Sequence, residues 1–446
     1  MIRPSPAARP RPAFRLAVFS WCAFDWANSA FPTVIMTFVF AAYFTQGVAA
    51  SPTEGTAQWG FALSLSGVVI ALVSPLFGAI ADNTGRRKPW TAVFNAVCIV
   101  ATALLWYTRP DPAWALWGLV FMSLANLGFE VGTVFYNAML PDLVPEERLG
   151  RISGWAWGLG YAGGLACLLL CLALFVLPER PLFGLDKEAA EQVRVVGPFV
   201  ALWFALFALP FFLFTPDRPP TGLSAGAAVR KGFRQLGHTL SNLRAHRNIA
   251  RFLAARLFYT DGLNSLFAFG GIYAAGTFMM DEAEIIRFGI ALNVTAGLGA
   301  FAFGWVDDRI GSKRTTVLSL AAMIAISAAI LLVEAKAAFW ALALALGVFM
   351  GPVQSASRAL MARMAPPELQ TEMFGLFALS GKITAFIGPA LVGWATYASG
   401  SQRVGMATLL LLLGGGLAIM LTVREPPRRE PAPAAAAPAG DRAAHG

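Results

Sequence analysis

The chain has 446 residues, of which 57% are hydrophobic and only 13% charged, with a formal net charge of +9. Soluble chains carry about 25% charged residues, so a soluble globular protein is excluded. The basic balance would suit nucleic acid, but the charge is distributed as membrane topology demands and calls for no nucleic-acid partner.

The N-terminus is rich in Arg and Pro. It runs into an apolar stretch too long for a signal core, with no small-residue cleavage site after it. Apolar stretches long enough to cross a bilayer predict spans at 16–46, 57–81, 90–108, 113–138, 150–177 and 196–215. The longest connection opens as TPDRPPTG and becomes a basic, amphipathic segment with Arg230, Lys231, Arg234, Arg244, Arg247 and Arg251. Such a segment would suit anionic lipid headgroups. Six more spans follow at 252–279, 284–305, 314–333, 337–361, 371–398 and 403–423, and a Pro/Ala tail of disordered composition closes the chain. The expected organisation is an N-terminus (1–15), a first six-helix bundle (16–215), a central loop (216–251), a second bundle (252–423) and a tail (424–446). The fold class is all-α integral membrane, with twelve transmembrane helices in two bundles. Cys22, Cys98, Cys167 and Cys171 all fall inside apolar stretches and read as small core hydrophobes.

Positive charge orients these spans. The N-terminus (Arg3, Arg9, Arg11, Arg15), the 2–3 loop (Arg86, Arg87, Lys88), the 8–9 loop (Arg309, Lys313, Arg314), the central loop, the 4–5 and 10–11 loops and the tail share one side, which holds about 25 of the Lys and Arg. The opposite loops hold Arg109, Arg180, Lys187, Arg194, Arg287, Lys336 and Arg403. Both termini are therefore expected in the cytoplasm.

The chain also repeats itself. FDWANSAF (24–31) and TDGLNSLF (260–267) share D-x-x-N-S-x-F, and each opens one half. GAIADNTGRRKP (78–89) and GWVDDRIGSKRT (304–315) follow spans two and eight, aligning Gly78 with Gly304, Asp82 with Asp308 and Gly85 with Gly311. LVPEERLGRISG (143–154) and MAPPELQTEMFG (364–375) make a weaker third pair. Two parallel six-helix halves are a plan used by transporters with a midplane site.

GAIADNTGRRK resembles the signature loop of the major facilitator superfamily, G-x-x-x-D-x-x-G-R-R/K. FDWANSAF, FYNAMLP (135–141), SGWAWGLGYAGG (153–164), QSASRALMARMAP (354–366) and SGKITAFIGP (380–389) resemble a narrower branch, the bacterial relatives of the autophagy-linked vacuolar amino-acid effluxers. The resemblance implies a monomeric carrier in a bacterial-type inner membrane that moves a small molecule by alternating access. Neutral amino acids lead as substrate, with efflux as the direction. It also implies that the signature loops lock the halves together on the cytoplasmic side, with Asp82 at the start of span eleven and Asp308 at the start of span five. Arg86, Arg87 and Lys88 would pair with acids or headgroups, or would simply mark topology, and Lys313 and Arg314 belong to the second gating loop. Gly78 and Gly304 allow close approach, and Gly85 and Gly311 allow a turn with positive φ.

Four ionisable residues fall well inside the predicted spans: Asp25, Glu130, Asp261 and Lys382. Intramembrane charges are costly, which makes a partnered interior position the default. At about 1.5 Å per residue Asp25 lies some 13 Å deep, and the other three fall at a similar level. Asp25 and Asp261 are equivalent positions of the two halves and are expected to face one cavity. They would contact substrate or protons there, or else brace a kinked helix. Glu130 has no basic partner in the spans and reads as a proton site. Lys382, the one intramembrane cation of this set, would meet a substrate carboxylate, or form a plain salt bridge with Asp261. Trp26, Asn28, Ser29, Tyr136, Asn137, Tyr161, Asn264 and Gln354 are expected to line the cavity, and Asn126 and Ser357 are softer candidates. Trp21, Trp155 and Trp157 would join Trp26 in an apolar or cation-π wall.

No phosphate-cradling G-x-x-x-x-G-K-[ST], no nucleophile elbow and no metal-ligand spacing occur. Neither ATP-driven pumping, nor enzyme chemistry, nor a cofactor or metal is therefore expected. A drug, sugar or muropeptide carrier of the same superfamily, or a lipid flippase or scramblase, are the alternatives. The drug reading draws on the many aromatics, whereas a lipid path would need a polar furrow open sideways.

Overall fold

A computed structural model describes residues 12–242 and 245–427. Residues 1–11, Arg244 and nearly all of the tail expected to be disordered lie outside the described residues. Every regular element among them is helical, as a hydrocarbon environment requires of a chain whose backbone groups must be satisfied internally. Eleven helical stretches are long and apolar enough to cross a membrane. Spans one to six are Phe14–Val48, Pro52–Thr84, Lys88–Tyr107, Pro112–Leu143, Glu146–Val176 and Glu191–Phe214. Spans eight to twelve are Ala283–Ile310, Ser312–Leu332, Lys336–Met364, Gln370–Ser399 and Gln402–Leu421. Span seven, Arg247–Phe278, is 32 residues long but carries Arg247, Arg251, Arg256 and Asp261, which make it less apolar than the rest.

Spans one and eleven depart from regular α geometry near their middles. Span one is α-helical over Pro12–Asn28 and then widens into π turns over Phe31–Phe38 and Phe44–Val48. Pro32 sits at the start of the first π segment, where its missing N–H interrupts the ladder. Span eleven consists of two helices, Gln370–Lys382 and Ile387–Ser399, separated by a short turn. Lys382 is thus the last residue of a half-helix.

The two most extensive helix pairings join opposite halves: span two with span eleven, and span five with span eight. Both depend on glycine. A Cβ on Gly78 would stand 2.5 Å from the carbonyl oxygen of Thr371, and one on Gly375 would stand 2.5 Å from Cα of Pro75. In the mirrored pair a Cβ on Gly154 would lie 2.5 Å from the carbonyl of Ala300, and one on Gly304 would lie 3.0 Å from Cα of Arg151. Backbones in contact give large dispersion gains where lipid supplies no hydrophobic drive.

The central connection is structured over most of its length. Thr221 donates through its backbone and hydroxyl to Thr84 and Asn83 at the end of span two. The helix Ala225–Ser241 then packs its small residues, such as Gly232, against Ile80. Arg230, Lys231 and Arg234 stay exposed. Gln235 accepts from Asn83 and donates to Glu372, so this helix touches both halves.

Packing within a half is equally tight, since a Cβ on Gly299 of span eight would sit 1.9 Å from the carbonyl of Val348 on span ten. Gly299→Leu is expected to cost about 1–3 kcal/mol through overpacking, read as a drop of a few degrees in the thermal unfolding midpoint of purified protein.

Candidate functional site

A cavity of about 590 Å³ lies between the halves, lined by residues of spans one, four, five, seven, eight, nine, ten, eleven and twelve. Its lining reaches Thr37, Tyr273, Phe288 and Phe339, near the less basic ends of their spans. At the other end it stops at Asp25 and Arg358.

Arg358 is the floor of the cavity and was not among the residues picked from sequence. Its predicted span ends at 361, which puts Arg358 with the topology-setting charges. The helix in fact continues to Met364, and the side chain is 1% exposed. Arg358 ion-pairs with Asp25 at 2.9 Å across the two halves. It also donates to the carbonyl and hydroxyl of Ser153 at 2.7 and 2.9 Å and to Oδ1 of Asn137 at 3.3 Å. The guanidinium lies over the rings of Trp157 and Trp21, at 4.8 and 5.1 Å. One side chain thereby ties span ten to spans one, four and five.

A second ion pair crosses the halves within the cavity. Lys382 Nζ lies 2.6 Å from Glu130 Oε1, and both groups keep partial exposure, 28% and 21%. Glu130 therefore does have a basic partner, and Lys382 pairs across the interface rather than with Asp261 in its own half. The reason is the break after Lys382, which leaves that residue at the end of a half-helix facing span four. Lys382 is also not the sole intramembrane cation. Arg256 of span seven, counted from sequence with the inside charges, lines the cavity as well. Its Nη1 donates to the carbonyl of Phe377 and the hydroxyl of Ser380.

Asp261 does not share the position of its counterpart Asp25. It is buried, lies outside the cavity lining and accepts the backbone N–H of Gly388 at 3.0 Å. It thus caps the N-terminus of the second half-helix of span eleven, where the helix dipole favours a carboxylate.

The polar residues divide in the same way. Asn28, Ser29, Asn137, Tyr161, Asn264 and Gln354 line the cavity, and Gln354 donates to the Tyr161 hydroxyl across the halves at 3.1 Å. Trp26 does not: it stacks on Trp203 of span six, away from the cavity. Tyr136 is fully buried, stacked on Trp21 and donating to the Trp21 carbonyl. Asn126 donates to Ser66, and Ser357 pairs with Tyr259, so both hold helices together. Of the expected tryptophan wall only Trp157 lines the cavity, while Trp21 contacts the buried guanidinium and Trp155 stacks on Phe301.

The basic end is closed by carboxylates on helix N-termini. Asp82 accepts the backbone N–H groups of Thr371 and Glu372 at 3.0 and 2.9 Å, at the start of span eleven. Asp308 accepts the N–H of Arg151 at 3.0 Å and pairs with its side chain, at the start of span five. Gly85 and Gly311 end spans two and eight at φ 84° and 94°, the region glycine tolerates. Arg87 is buried and bonds Asp142, the Ala138 carbonyl, Thr371 and Gln370. Burial lowers the pKa of its guanidinium, and Asp142 works against that shift. Arg86 and Arg314 are exposed, and Lys313 donates to the Leu421 carbonyl.

Sequence reasoning missed a further symmetric pair of acids. Asp217, after span six, accepts the N–H groups of Arg87 and Lys88 at the start of span three. Glu425, after span twelve, accepts those of Ser312 and Lys313 at the start of span nine. Arg363 binds Asp307, Ser312 and Glu425 beside it. The spacing of each acid after its span, aligned between the halves, was the available signal.

A family model described as "Vacuole effluxer Atg22 like" matches residues 58–430. The uncharacterized MFS-type transporter YxiO of Bacillus subtilis (strain 168) is 27% identical over 409 residues, 91% of this chain and 94% of that protein. Autophagy-related protein 22 of Cryptococcus neoformans var. neoformans serotype D (strain B-3501A) is 27% identical over 292 residues. That match covers 60% of this chain and 52% of the fungal protein. Among solved structures, the major facilitator superfamily transporter FucP superposes with a TM-score of 0.72 at 14% identity, over 93% of this chain and 99% of that chain. At that identity the likeness shows the fold alone, the two-bundle major facilitator architecture.

The Arg358–Asp25 pair predicts strong non-additivity. Arg358→Gln strands a buried carboxylate and is expected to cost about 3–5 kcal/mol. Combining it with Asp25→Asn should cost clearly less than the sum of the single changes, as measured by a thermal double-mutant cycle.

Proposed function

The chain belongs to the family of Atg22-like vacuole effluxers, of major facilitator type, and on that premise we propose that it is a secondary transporter for neutral amino acids or related metabolites. The two halves rock about the cavity, and the basic end is the cytoplasmic one. The arrangement described here corresponds to the state that opens away from the cytoplasm, with export as the direction of net transport. The chain works as a monomer in a plasma membrane.

One observation carries this reading: the Glu130–Lys382 pair, which bridges the halves inside the cavity and remains partly accessible. The ammonium of a zwitterion entering there can compete with Lys382 for Glu130. The cross-half pair is then exchanged for substrate contacts, which supplies the differential binding between states that a conformational change needs. Protonation of Glu130 would release Lys382 in the same manner, so proton coupling is assigned to Glu130. The Asp25–Arg358 pair, sealed beneath it, holds the floor in the closed state.

The test is uptake of a labelled neutral amino-acid mixture into proteoliposomes, with and without an imposed pH gradient, for wild type, Glu130→Gln and Asp25→Asn. Gradient-driven uptake is expected in wild type. Glu130→Gln should lose the gradient dependence while retaining exchange, and Asp25→Asn should lower the rate under both conditions. Gradient-independent uptake by wild type would remove the proton role.

A further inference from the structure

The charged lining of the cavity consists of Asp25, Glu130, Arg256, Arg358 and Lys382. Three bases against two acids leave one positive charge in excess. Arg358 is matched to Asp25 and Lys382 to Glu130. Among the described residues no acidic side chain comes within ion-pair distance of Arg256. The cost of an unmatched intramembrane charge is met here only in part. Arg256 donates through Nη1 to the Phe377 carbonyl at 2.5 Å and to the Ser380 hydroxyl at 2.9 Å. Its guanidinium lies 3.6 Å from the centre of the Phe377 ring. Phe377 and Ser380 belong to the last turns of the half-helix Gln370–Lys382, whose negative dipole end favours a cation.

These contacts fix the side chain without using all of it. Both bonds come from Nη1, which leaves the rest of the five-donor fork free for a planar acceptor. Gly381 is what lets the guanidinium seat so close, since a Cβ there would meet Arg256 Nη1 at 2.7 Å. Capping the half-helix would account for the Nη1 bonds, but not for a cationic side chain that lines a solute-sized cavity with donors to spare.

We propose that Arg256 is the seat of a substrate carboxylate, so that the transported solutes are small organic acids and amino acids with a free carboxylate. This rests on the transporter reading above and narrows it. Lys382 and Arg358 are engaged by acids of the protein, whereas Arg256 alone offers an unmatched charge. A carboxylate bound there supplies the counter-charge that no acidic side chain among the described residues gives Arg256.

The test is equilibrium binding to the full-length protein in detergent. The probes are L-amino acids and three- to six-carbon monocarboxylates, each beside its primary amide, with hexoses as the uncharged control. In wild type the acids should bind about 10- to 100-fold more tightly than their amides, the range for a lost charge-assisted contact. Arg256→Gln should erase that preference, so that acids bind no more tightly than their amides, and Arg256→Lys should restore part of it. Amides that bind wild type as tightly as acids overturn the proposal without recourse to any variant. An acid preference that survives in Arg256→Gln overturns it too. Binding and transport of hexoses or amides alone would overturn it while leaving the transporter standing. Absence of binding and of counterflow for every compound would overturn both.

Discussion

Everything in the interior of this molecule answers to one constraint: a charge placed among apolar helices must find a partner, because neither lipid nor packed side chains can solvate it. Two of the partnerships in the cavity cross between the halves, Asp25 with Arg358 and Glu130 with Lys382. The same pairs that make the charges tolerable therefore make the relative position of the halves matter. Separating the halves at this depth separates opposite charges at low dielectric. Such a movement becomes accessible only when other charges take over. The two pairs differ in how readily that happens. Arg358 is enclosed by Ser153, Asn137, Trp21 and Trp157, whereas Glu130 and Lys382 face the cavity.

The basic end uses a milder chemistry. Asp82 and Asp308 hold helix N-termini of the opposite half, and Asp217 and Glu425 hold N-termini of their own. Each carboxylate meets N–H groups that no helix can satisfy internally, with the positive end of a dipole behind them. Such contacts are directional and worth about 1.5–3 kcal/mol each, and water can replace them once the end opens. The glycines at 78, 154, 304 and 375 bring the backbones close enough for these bonds to form.

Much of this was legible in the sequence, for identifiable reasons. The helical spans and the internal repeat come from hydrophobic length and aligned motifs, both of which are local along the chain. Gly85 and Asp82 were visible because a tight interhelical loop restricts residue type strongly. What was hidden depends on which helix faces which. Arg358 and Arg256 lie so near their span ends that they count equally well as topology signals, and only helices longer than their apolar cores reveal them as interior. The pairing of Lys382 with Glu130 could not be read, since no periodicity within span eleven records what stands opposite. Tyr136 and Trp26 fit the pattern of cavity residues by depth, but their rotation about the helix axis turns them into the core.

The internal repeat is most informative where it fails. Asp25 and Asp261 occupy matching positions in matching motifs, yet one binds an arginine across the halves and the other caps a broken helix. The difference follows from span eleven, since its counterpart, span five, runs unbroken through the region around Gly160 that packs on Asp25. Breaking span eleven frees the N–H of Gly388, which Asp261 then satisfies. The same break ends a half-helix at Lys382, and Arg256 donates to the carbonyl of Phe377 in that half-helix. A single discontinuity in one half thus places Lys382 and Arg256 on one wall of the cavity, while the first half contributes the carboxylates. The asymmetry gives the cavity an acidic side and a basic side, which two strictly repeated halves would not produce.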